Sequence, residues 1–190
     1  MWLNKIMVPK KMSGKKTYPY KYIKTIRLKD GTIVKLRPIK PEDEPLMLEL
    51  FKTFSPETIK FRFFLPLREI THDDLVRYCN VDYKNEIAIV AEIKEDNDNK
   101  KRLIGVARLI RDKDKKNRAE FAVVVGDPWQ GKHLGLRLSR YIIEIAKDMG
   151  ISELYSKVLK DNVRSLSLSK KLGFVKKDVG LEYLISKRLV

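Results

Sequence analysis

Apolar residues recur along this chain with two spacings, one typical of strands and one typical of helices. Apolar or alternating segments bounded by turn residues predict strands over residues 25–28, 32–38, 86–94, 102–111, 117–125, 153–158, 174–177 and 181–187. Asp30-Gly31 lies between the first two segments and is a strong hairpin signal. Polar runs separate the next three segments, so an antiparallel meander is expected over residues 86–125.

Helical spacing predicts helices over residues 41–54, from 56 onward, 71–80, 131–149 and 162–172. Ser55 before Pro56 indicates the start of the second helix, because serine caps free backbone N–H groups and proline suits the first turn. Gly150 and Gly173 indicate the ends of the last two helices. The order of elements, a β-meander followed by a β–α–β unit, predicts a single α/β domain around one layered sheet.

Length and cysteine content limit the class of protein. A chain of 190 residues buries one substantial core, so we expect one folded domain. Cys79 is the only cysteine, which excludes an intramolecular disulfide and favours a reducing compartment. No apolar run approaches the roughly 18 residues that span a bilayer, and residues 1–8 are too interrupted for the core of a signal peptide. A cytoplasmic protein without a membrane segment is expected.

The charge is strongly positive and partly concentrated at the N-terminus. The net charge is +16, from 41 Lys and Arg against 25 Asp and Glu, and residues 1–24 contain seven lysines and no acidic residue. We interpret residues 1–24 as a basic arm, flexible or lying on the surface, and residues 25–190 as the folded domain. Such a charge attracts a nucleotide, an acidic protein or nucleic acid, but it is also typical of proteins whose lysines are merely solvated.

Residues 119–136 are the most informative part of the sequence. An apolar strand ends at Val125, a turn containing Pro128 follows, and a loop from Gln130 to Gly135 leads into a long amphipathic helix. Free backbone N–H groups at the start of a helix point the same way as the positive end of the helix dipole, so this loop is a candidate anion site. It lacks the Gly-Lys-Ser/Thr ending of a Walker loop and the glycine spacing of a GxGxxG turn.

The loop resembles the Q/R-x-x-G-x-G/A loop of the GNAT acyltransferases, which holds the pyrophosphate of acetyl-CoA. Asn162 and Leu172-Gly173-Phe174 match family positions at the expected downstream spacing. Within this family, the chain is most similar to the Pat-type protein lysine acetyltransferases. The segments that match them are Lys29-Asp30-Gly31-Thr32, Arg37-Pro38-Ile39, Pro41-Glu42-Asp43-Glu44-Pro45, Phe54-Ser55-Pro56-Glu57 and Arg62-Phe63-Phe64. The resemblance spans residues 25–178.

The resemblance implies the GNAT fold, a central mixed and mostly antiparallel sheet that is splayed between two parallel strands and flanked by helices. Strand 119–125 would part from strand 153–158, and acetyl-CoA would lie in the cleft between them. The implied contacts with the pantetheine arm are the backbone of Val123, Val124 and Val125, together with Asn162 and Ser165. The implied contacts with the pyrophosphate are Gln130, Gly131, Lys132, His133, Leu134, Gly135 and Leu136.

Three of these positions have a second interpretation. Asn162 also suits the N-cap of the helix that follows it. Lys132 either pairs with a phosphate of coenzyme A or is solvated. His133 stands where the family usually has glycine. It is compatible with the loop if its backbone is helical and its side chain turns outward, and a charged imidazole beside a phosphate would add a contact.

Glu120 is the candidate general base. Transfer of an acetyl group to an amine needs the neutral amine, and a lysine with a pKa near 10.4 is neutral in only about one molecule in 2,500 at pH 7. Glu120 interrupts an apolar strand, where an unpaired carboxylate is costly. It also matches the glutamate that acts as the base in Pat-type enzymes. The alternative is an ion pair with Arg108 or Arg111 on the neighbouring strand.

Ser169 occupies the position at which many GNAT enzymes have a tyrosine that protonates the leaving thiolate. Serine is a far weaker acid, so either Ser169 only hydrogen-bonds the sulfur or water supplies the proton. Cys79 is not expected to be a nucleophile, because it lies far in sequence from the loop at residues 130–135. His72 and His133 are the only histidines that could activate it. Direct transfer in a ternary complex is therefore favoured over a covalent acyl-enzyme. Two distant histidines and one cysteine do not make a usual zinc site, so no metal is expected.

The sequence therefore predicts an acetyl-CoA-dependent N-acetyltransferase that acts on protein lysines. Pat-type enzymes often acetylate acyl-CoA synthetases, so such a protein is a candidate acceptor. A small amine or a protein N-terminus is the alternative acceptor. Two functions of other classes stay open: a basic nucleic-acid-binding module, suggested by the lysine-rich arm, and an acyl-CoA sensor that binds the coenzyme without turnover.

Overall fold

The structure, a computed structural model, describes residues 17–64, 69–94 and 100–189. Within these ranges the chain forms eight strands and five α-helices. The strands are β1 (Lys24–Arg27), β2 (Ile33–Pro38), β3 (Glu86–Lys94), β4 (Lys101–Arg111), β5 (Arg118–Val125), β6 (Glu153–Leu159), β7 (Val175–Asp178) and β8 (Glu182–Arg188). The helices are α1 (Glu44–Lys52), α2 (Pro56–Phe63), α3 (His72–Cys79), α4 (Leu134–Asp148) and α5 (Val163–Lys171).

All of these strands belong to one sheet, in the spatial order β1–β2–β3–β4–β5–β6–β8–β7. Neighbouring strands are antiparallel except β5 and β6, which are parallel. The parallel pair is connected through α4, because two parallel strands need a crossover between them. The expected mixed, mostly antiparallel α/β architecture is confirmed.

The parallel strands β5 and β6 stay together only at their N-terminal ends. Their pairing ends at Glu120 opposite Tyr155, and no later residue of β5, all of which the structure describes, is paired with β6. β5 continues to Val125 and β6 to Leu159, so a V-shaped opening lies between them. The predicted splay of these two strands is confirmed.

Two apolar clusters cover the two faces of the sheet. One contains the buried stripe of α4, including Leu138 and Ile142, and also takes in residues of α5. The other contains Leu50 of α1 and Cys79 of α3. Alternate residues of the central strands divide between the clusters, because successive side chains of a strand point to opposite faces. Cys79 is completely buried and is therefore a core residue.

The helix starts follow local sequence signals, with one exception. Ser55 caps α2 as predicted, its Oγ accepting a hydrogen bond from the amide of Thr58 at 3.2 Å. α4 begins at Leu134 rather than at Gly131. Gly131 and His133 have left-handed backbones, with φ of 77° and 63°, which a right-handed helix cannot include.

Arg37 at the end of β2 joins three elements through buried ion pairs. Its guanidinium donates to both oxygens of Asp43, each at 2.7 Å, and its Nε donates to Glu92 of β3 at 2.9 Å. The exposed fraction of these residues is 5% or less. Asp43 belongs to the 3-10 turn that leads into α1, so this network fixes where the helical layer on that face begins.

The described end of the predicted basic arm packs against the domain. Tyr22 is buried, and its hydroxyl donates a hydrogen bond to Asp148 at the end of α4, where Lys21 forms an ion pair at 2.6 Å. Residues 20–22 are therefore attached to the folded unit, whereas residues 1–16, with most of the lysines of the arm, lie outside the described residues. Among the described helices, none is long and apolar enough to cross a membrane.

Candidate active site

The opening between β5 and β6 is a cleft with walls from both helical layers. α2 contributes Phe61 and Arg62 from one side, together with Phe64 directly after the helix, and α5 contributes residues from the other. The cleft is open to solvent, and Glu120 of β5 and Lys157 of β6 line it between the two helices.

Beyond the last pair with β6, the backbone of β5 is free on the cleft side. The amide of Gly126 donates to Ile104 at 3.0 Å, so the even-numbered residues in this part of the β4–β5 ladder bond to β4. Val123 and Val125 therefore direct their backbone groups away from β4; the carbonyl of Val125 accepts a hydrogen bond from Gln130, and the groups of Val123 face the cleft without a described partner. Val124 directs its backbone groups toward β4. Its backbone, one of the three contacts implied by the resemblance, is therefore not available to a ligand in the cleft.

The loop before α4 presents backbone amides without protein partners. The amides of residues 131–136 donate to no acceptor among the described residues, and the first amide to bond back to the loop is that of Arg137, to His133 at 3.1 Å. Gly131 and His133 supply the left-handed turns that lead into the helix. Unpaired amides at a helix N-terminus, next to the positive end of its dipole, bind anions such as a diphosphate.

Two side chains of the loop differ from their sequence interpretations. His133 is exposed, as required, but its backbone is left-handed rather than helical. Glycine adopts that conformation without strain, which explains why glycine suits the position better. Lys132 forms an ion pair with Asp30 of the β1–β2 turn at 2.9 Å, a partner that neither interpretation of this residue included.

Gln130 is held in place by its own hydrogen bonds. Its Nε2 donates to the carbonyl of Val125 and to Asp127, each at 3.1 Å, and its Oε1 accepts a hydrogen bond from Arg164 of α5 at 2.6 Å. The side chain therefore joins the end of β5 to α5 and shapes the loop, and its amide group is already engaged.

Asn162, Ser165 and Ser169 lie along the α5 side of the cleft. Asn162 is the N-cap of α5, with its Oδ1 accepting from the amide of Ser165 at 3.0 Å, and its side-chain nitrogen has no partner within the described ranges. Capping therefore leaves an N–H donor for a ligand. Ser169 is buried, and its hydroxyl donates to the carbonyl of Leu166 at 2.9 Å, so its proton is engaged within its own helix.

Glu120 lies where the two strands part. It is an even-numbered residue of β5, like Val124, and therefore lies on the face of the sheet that α1, α2 and α3 cover. Burial raises the pKa of Glu120 to about 7, and the positive charges of Arg62 and Lys157 act in the opposite direction. A carboxyl group with this pKa exchanges its proton near neutral pH.

The ion pair considered for Glu120 is not formed. Arg108 pairs with Glu86 on β3, and Arg111 donates to backbone carbonyls, one of them that of Met149 at 2.9 Å. No cationic nitrogen of a described residue lies within 4.0 Å of the Glu120 carboxylate. Its oxygens are therefore free to accept a proton.

The sequence is also similar to that of known proteins. Residues 34–175 match the family model described as "Acetyltransferase (GNAT) domain". The chain belongs to the GNAT acetyltransferase family. It is therefore an acyltransferase, of a family whose co-substrate is acetyl-CoA.

Individual relatives agree with this assignment. Acetyltransferase PA5475 of Pseudomonas aeruginosa is 31% identical over 148 residues, which are 78% of each chain. Acetyltransferase Pat of Mycolicibacterium smegmatis is 29% identical over 158 residues, which are 82% of this chain but 46% of that protein, so the chain spans less than half of that relative. The GNAT domain of S. lividans PAT has the same fold, with a TM-score of 0.83 at 22% identity over 91% of this chain and 100% of that one.

The residues of the cleft suit the co-substrate of the GNAT family. The unpaired amides of residues 131–136 match a diphosphate, and the free backbone of β5 at Val123 matches the amide groups of the pantetheine arm, as an added strand would. Within the described ranges no group of His, Cys, Asp and Glu is arranged to hold a metal ion.

Sequence reasoning missed the contribution of α2 to this GNAT site. Phe61, Arg62 and Phe64 line the cleft beside Glu120, yet Arg62 entered the sequence analysis only within a matching segment. A charged residue between aromatic residues on a short helix was the available signal. Arg164, which binds Gln130, was missed as well and has no comparable signal in the sequence.

His133→Gly is expected to be more stable than His133→Ala, by about 1 kcal/mol, because only glycine adopts the left-handed backbone at this position without strain. Both variants lose the imidazole, so the comparison isolates the backbone. Urea unfolding of the two variants at one pH measures the difference. Equal stability would show that the loop relaxes out of the left-handed conformation.

Proposed function

We propose that the protein acetylates lysine side chains of other proteins, by direct transfer from acetyl-CoA in a ternary complex, with Glu120 as the general base. We assign this activity to residues 25–190. The observation that supports it best is the unpaired carboxyl group of Glu120, with its pKa raised to about 7, at the point where β5 and β6 part. This group is about half ionised at neutral pH and is a stronger base than an ordinary glutamate.

The base is needed because a lysine side chain arrives as an ammonium group. Formation of the neutral amine at pH 7 costs roughly 4.6 kcal/mol for a pKa near 10.4. Glu120 accepts this proton, directly or through one water molecule, because no described residue occupies its oxygens. The carboxyl group lies on the α2 side of the cleft, so we assign that side to the acceptor.

We assign the opposite side to the co-substrate. The amides of residues 131–136 hold the diphosphate, and the backbone of Val123 and the free side-chain nitrogen of Asn162 orient the pantetheine arm, with Ser165 beside it. When bound, acetyl-CoA supplies the thioester carbon that the amine attacks and the sulfur that leaves. Ser169 directs its proton to the carbonyl of Leu166, so we propose that water supplies the proton that the leaving sulfur takes up.

The resemblance to Pat-type enzymes supports a protein lysine as the acceptor and an acyl-CoA synthetase as one such protein. Incubation with acetyl-CoA and three acceptors tests this choice: a purified acyl-CoA synthetase, a lysine peptide with a blocked N-terminus, and a lysine-free peptide with a free N-terminus. Mass spectrometry is expected to find the acetyl group on lysine in the first two. Acetylation of the third alone would indicate an N-terminal acetyltransferase. Coenzyme binding without turnover of any acceptor would indicate a sensor.

A further inference from the structure

Arg62 of α2 lines the cleft beside Glu120 without a partner of its own. Its guanidinium makes no hydrogen bond and no ion pair with a described residue. Its Cζ lies 5.2 Å from the centre of the Phe63 ring, in a cation–π contact. The buried arginines elsewhere in this chain differ. Arg37 is bound to two carboxylates, and Arg108 to Glu86 and a backbone carbonyl.

An unpaired, partly buried guanidinium costs stability, because little replaces the water it has lost. Burial lowers the pKa of Arg62, and the positive charge of Arg108 lowers it further. Arginine nevertheless stays protonated throughout the physiological range. The charge at residue 62 therefore does not serve the stability of the fold, and a role in the cleft is indicated.

Arg62 and Glu120 influence each other without contact. After burial, the positive charge of Arg62 is the largest influence on the pKa of Glu120, which it lowers. No nitrogen of Arg62 lies within 4.0 Å of an oxygen of Glu120. A direct ion pair would occupy the lone pairs that must accept a proton. At the larger separation the field of the cation still favours the carboxylate, and the oxygens stay free.

The other charged groups near Glu120 have smaller effects: Lys157 also lowers the pKa of Glu120, but less than Arg62 does, and Asp112 raises it. Each of them is paired or neutral: Lys157 with Glu182 at 3.2 Å, Asp112 with Arg118 at 3.9 Å, Arg108 with Glu86, and Tyr155, whose pKa burial raises to about 12. Arg62 is thus the uncompensated charge among the described residues on the α2 side of the cleft.

We propose that Arg62 is an electrostatic positioning residue for the acceptor: its unpaired guanidinium favours the ionised form of Glu120 and disfavours the ammonium form of the amine that enters beside it. Both effects favour the reactive pair, a carboxylate and a neutral amine, because a nearby cation stabilises the first and destabilises an ammonium. The inference rests on the proposed function, since it assumes an amine acceptor and Glu120 as the base.

Arg62→Gln and Arg62→Lys test the inference, with Lys52→Gln as the matched control. Lys52 is exposed on α1 and pairs with Glu49, so its neutralisation changes the net charge equally, but away from the cleft. We expect the acidic inflection of the kcat/KM profile to move up by about one pH unit in Arg62→Gln, with about a fivefold lower rate at pH 7, because the ionised fraction of Glu120 falls from about one half to about one tenth. Arg62→Lys is expected to restore the inflection, and Lys52→Gln to match the wild type.

NMR titration of the ¹³C-labelled Glu120 carboxyl group gives the same comparison without an acceptor. A higher pKa of Glu120 in Arg62→Gln than in the wild type supports the inference even if the acceptor has been assigned wrongly. A wild type that acetylates no amine therefore contradicts only the proposed function. If neither the inflection of the kcat/KM profile nor the pKa of Glu120 changes in Arg62→Gln, the inference is overturned, even if the rate falls. If Arg62→Gln does not fold, Arg62→Met retains the packing of the stem and is titrated in its place.

A third outcome separates charge tuning from acceptor recognition. If Arg62 instead bound a carboxylate of the acceptor, Arg62→Gln would raise KM only for peptides with Asp or Glu beside the lysine. The inflection would then stay at the wild-type pH. That result would overturn the inference and assign Arg62 to substrate binding.

Discussion

Glu120→Gln is expected to lower the rate of acetyl transfer to lysine by about two orders of magnitude or more. The amide has nearly the shape of the carboxyl group but cannot accept a proton from the amine. The affinity for acetyl-CoA is expected to stay the same, because the amides of residues 131–136 and the free backbone of β5 do not involve this side chain. Steady-state kinetics with a lysine peptide and calorimetry with acetyl-CoA measure the two quantities.

Glu49→Gln is the matched control, since Glu49 is exposed on α1 and its recorded partner is Lys52 at 2.7 Å. We expect this variant to have the wild-type rate. Undiminished turnover by Glu120→Gln would remove Glu120 from the mechanism. A slow variant that also fails to bind acetyl-CoA would point to a structural role for the carboxyl group.

The same substitution is expected to increase stability near neutral pH. The pKa of Glu120 is about 7 in the folded protein, against 4.5 for an ordinary glutamate, so the folded state binds the proton more tightly. The resulting stabilisation is complete below about pH 4.5 and is lost as the pH rises through 7. Glutamine does not titrate. The stability of the wild type relative to Glu120→Gln should therefore fall between pH 4.5 and 7, which urea unfolding at several pH values measures.

The elements of this fold are largely encoded in local residue spacing, whereas the ends of strand pairing are not. Alternation predicted β3, β4 and β5 almost to the residue, and the stripe of Leu138 and Ile142 predicted α4. Both patterns reflect which side chains each element must bury. The place where β5 and β6 part, after Glu120, has no signal in the residue spacing of either strand, so only the resemblance indicated it.

The candidate site shows the same division. Glu120 was identifiable because a carboxylate in an apolar strand is costly without a reason. Arg62 had a weak signal, a charged residue between aromatic residues on a short helix, but its place in the cleft depends on the packing of α2 against β5. The ion pair of Lys132 was not predicted, because its partner Asp30 lies far away in the sequence.

Arg37→Ala is expected to lower the free energy of unfolding by about 3–5 kcal/mol, because removal of one member of a buried ion network leaves the others buried without compensation. Asp43 and Glu92 are 1% and 4% exposed, and each accepts short hydrogen bonds from Arg37. With the guanidinium absent, Asp43 would keep the amide of Lys40 as a donor, at 2.9 Å, but no counter-charge in the network. Urea unfolding at pH 7 measures the loss.

Two comparisons determine whether the buried charge, rather than the lost side-chain volume, is responsible. Arg27→Ala removes an exposed arginine on β1, whose one hydrogen bond to a described residue is to the carbonyl of Gly31 at 3.3 Å, and is expected to cost less than about 0.5 kcal/mol. The triple variant Arg37→Met, Asp43→Asn, Glu92→Gln removes all three charges and is expected to recover much of the stability lost in Arg37→Ala. A triple variant as unstable as Arg37→Ala would mean that the hydrogen-bond geometry around residue 37, and not charge compensation, holds the start of α1 on the sheet.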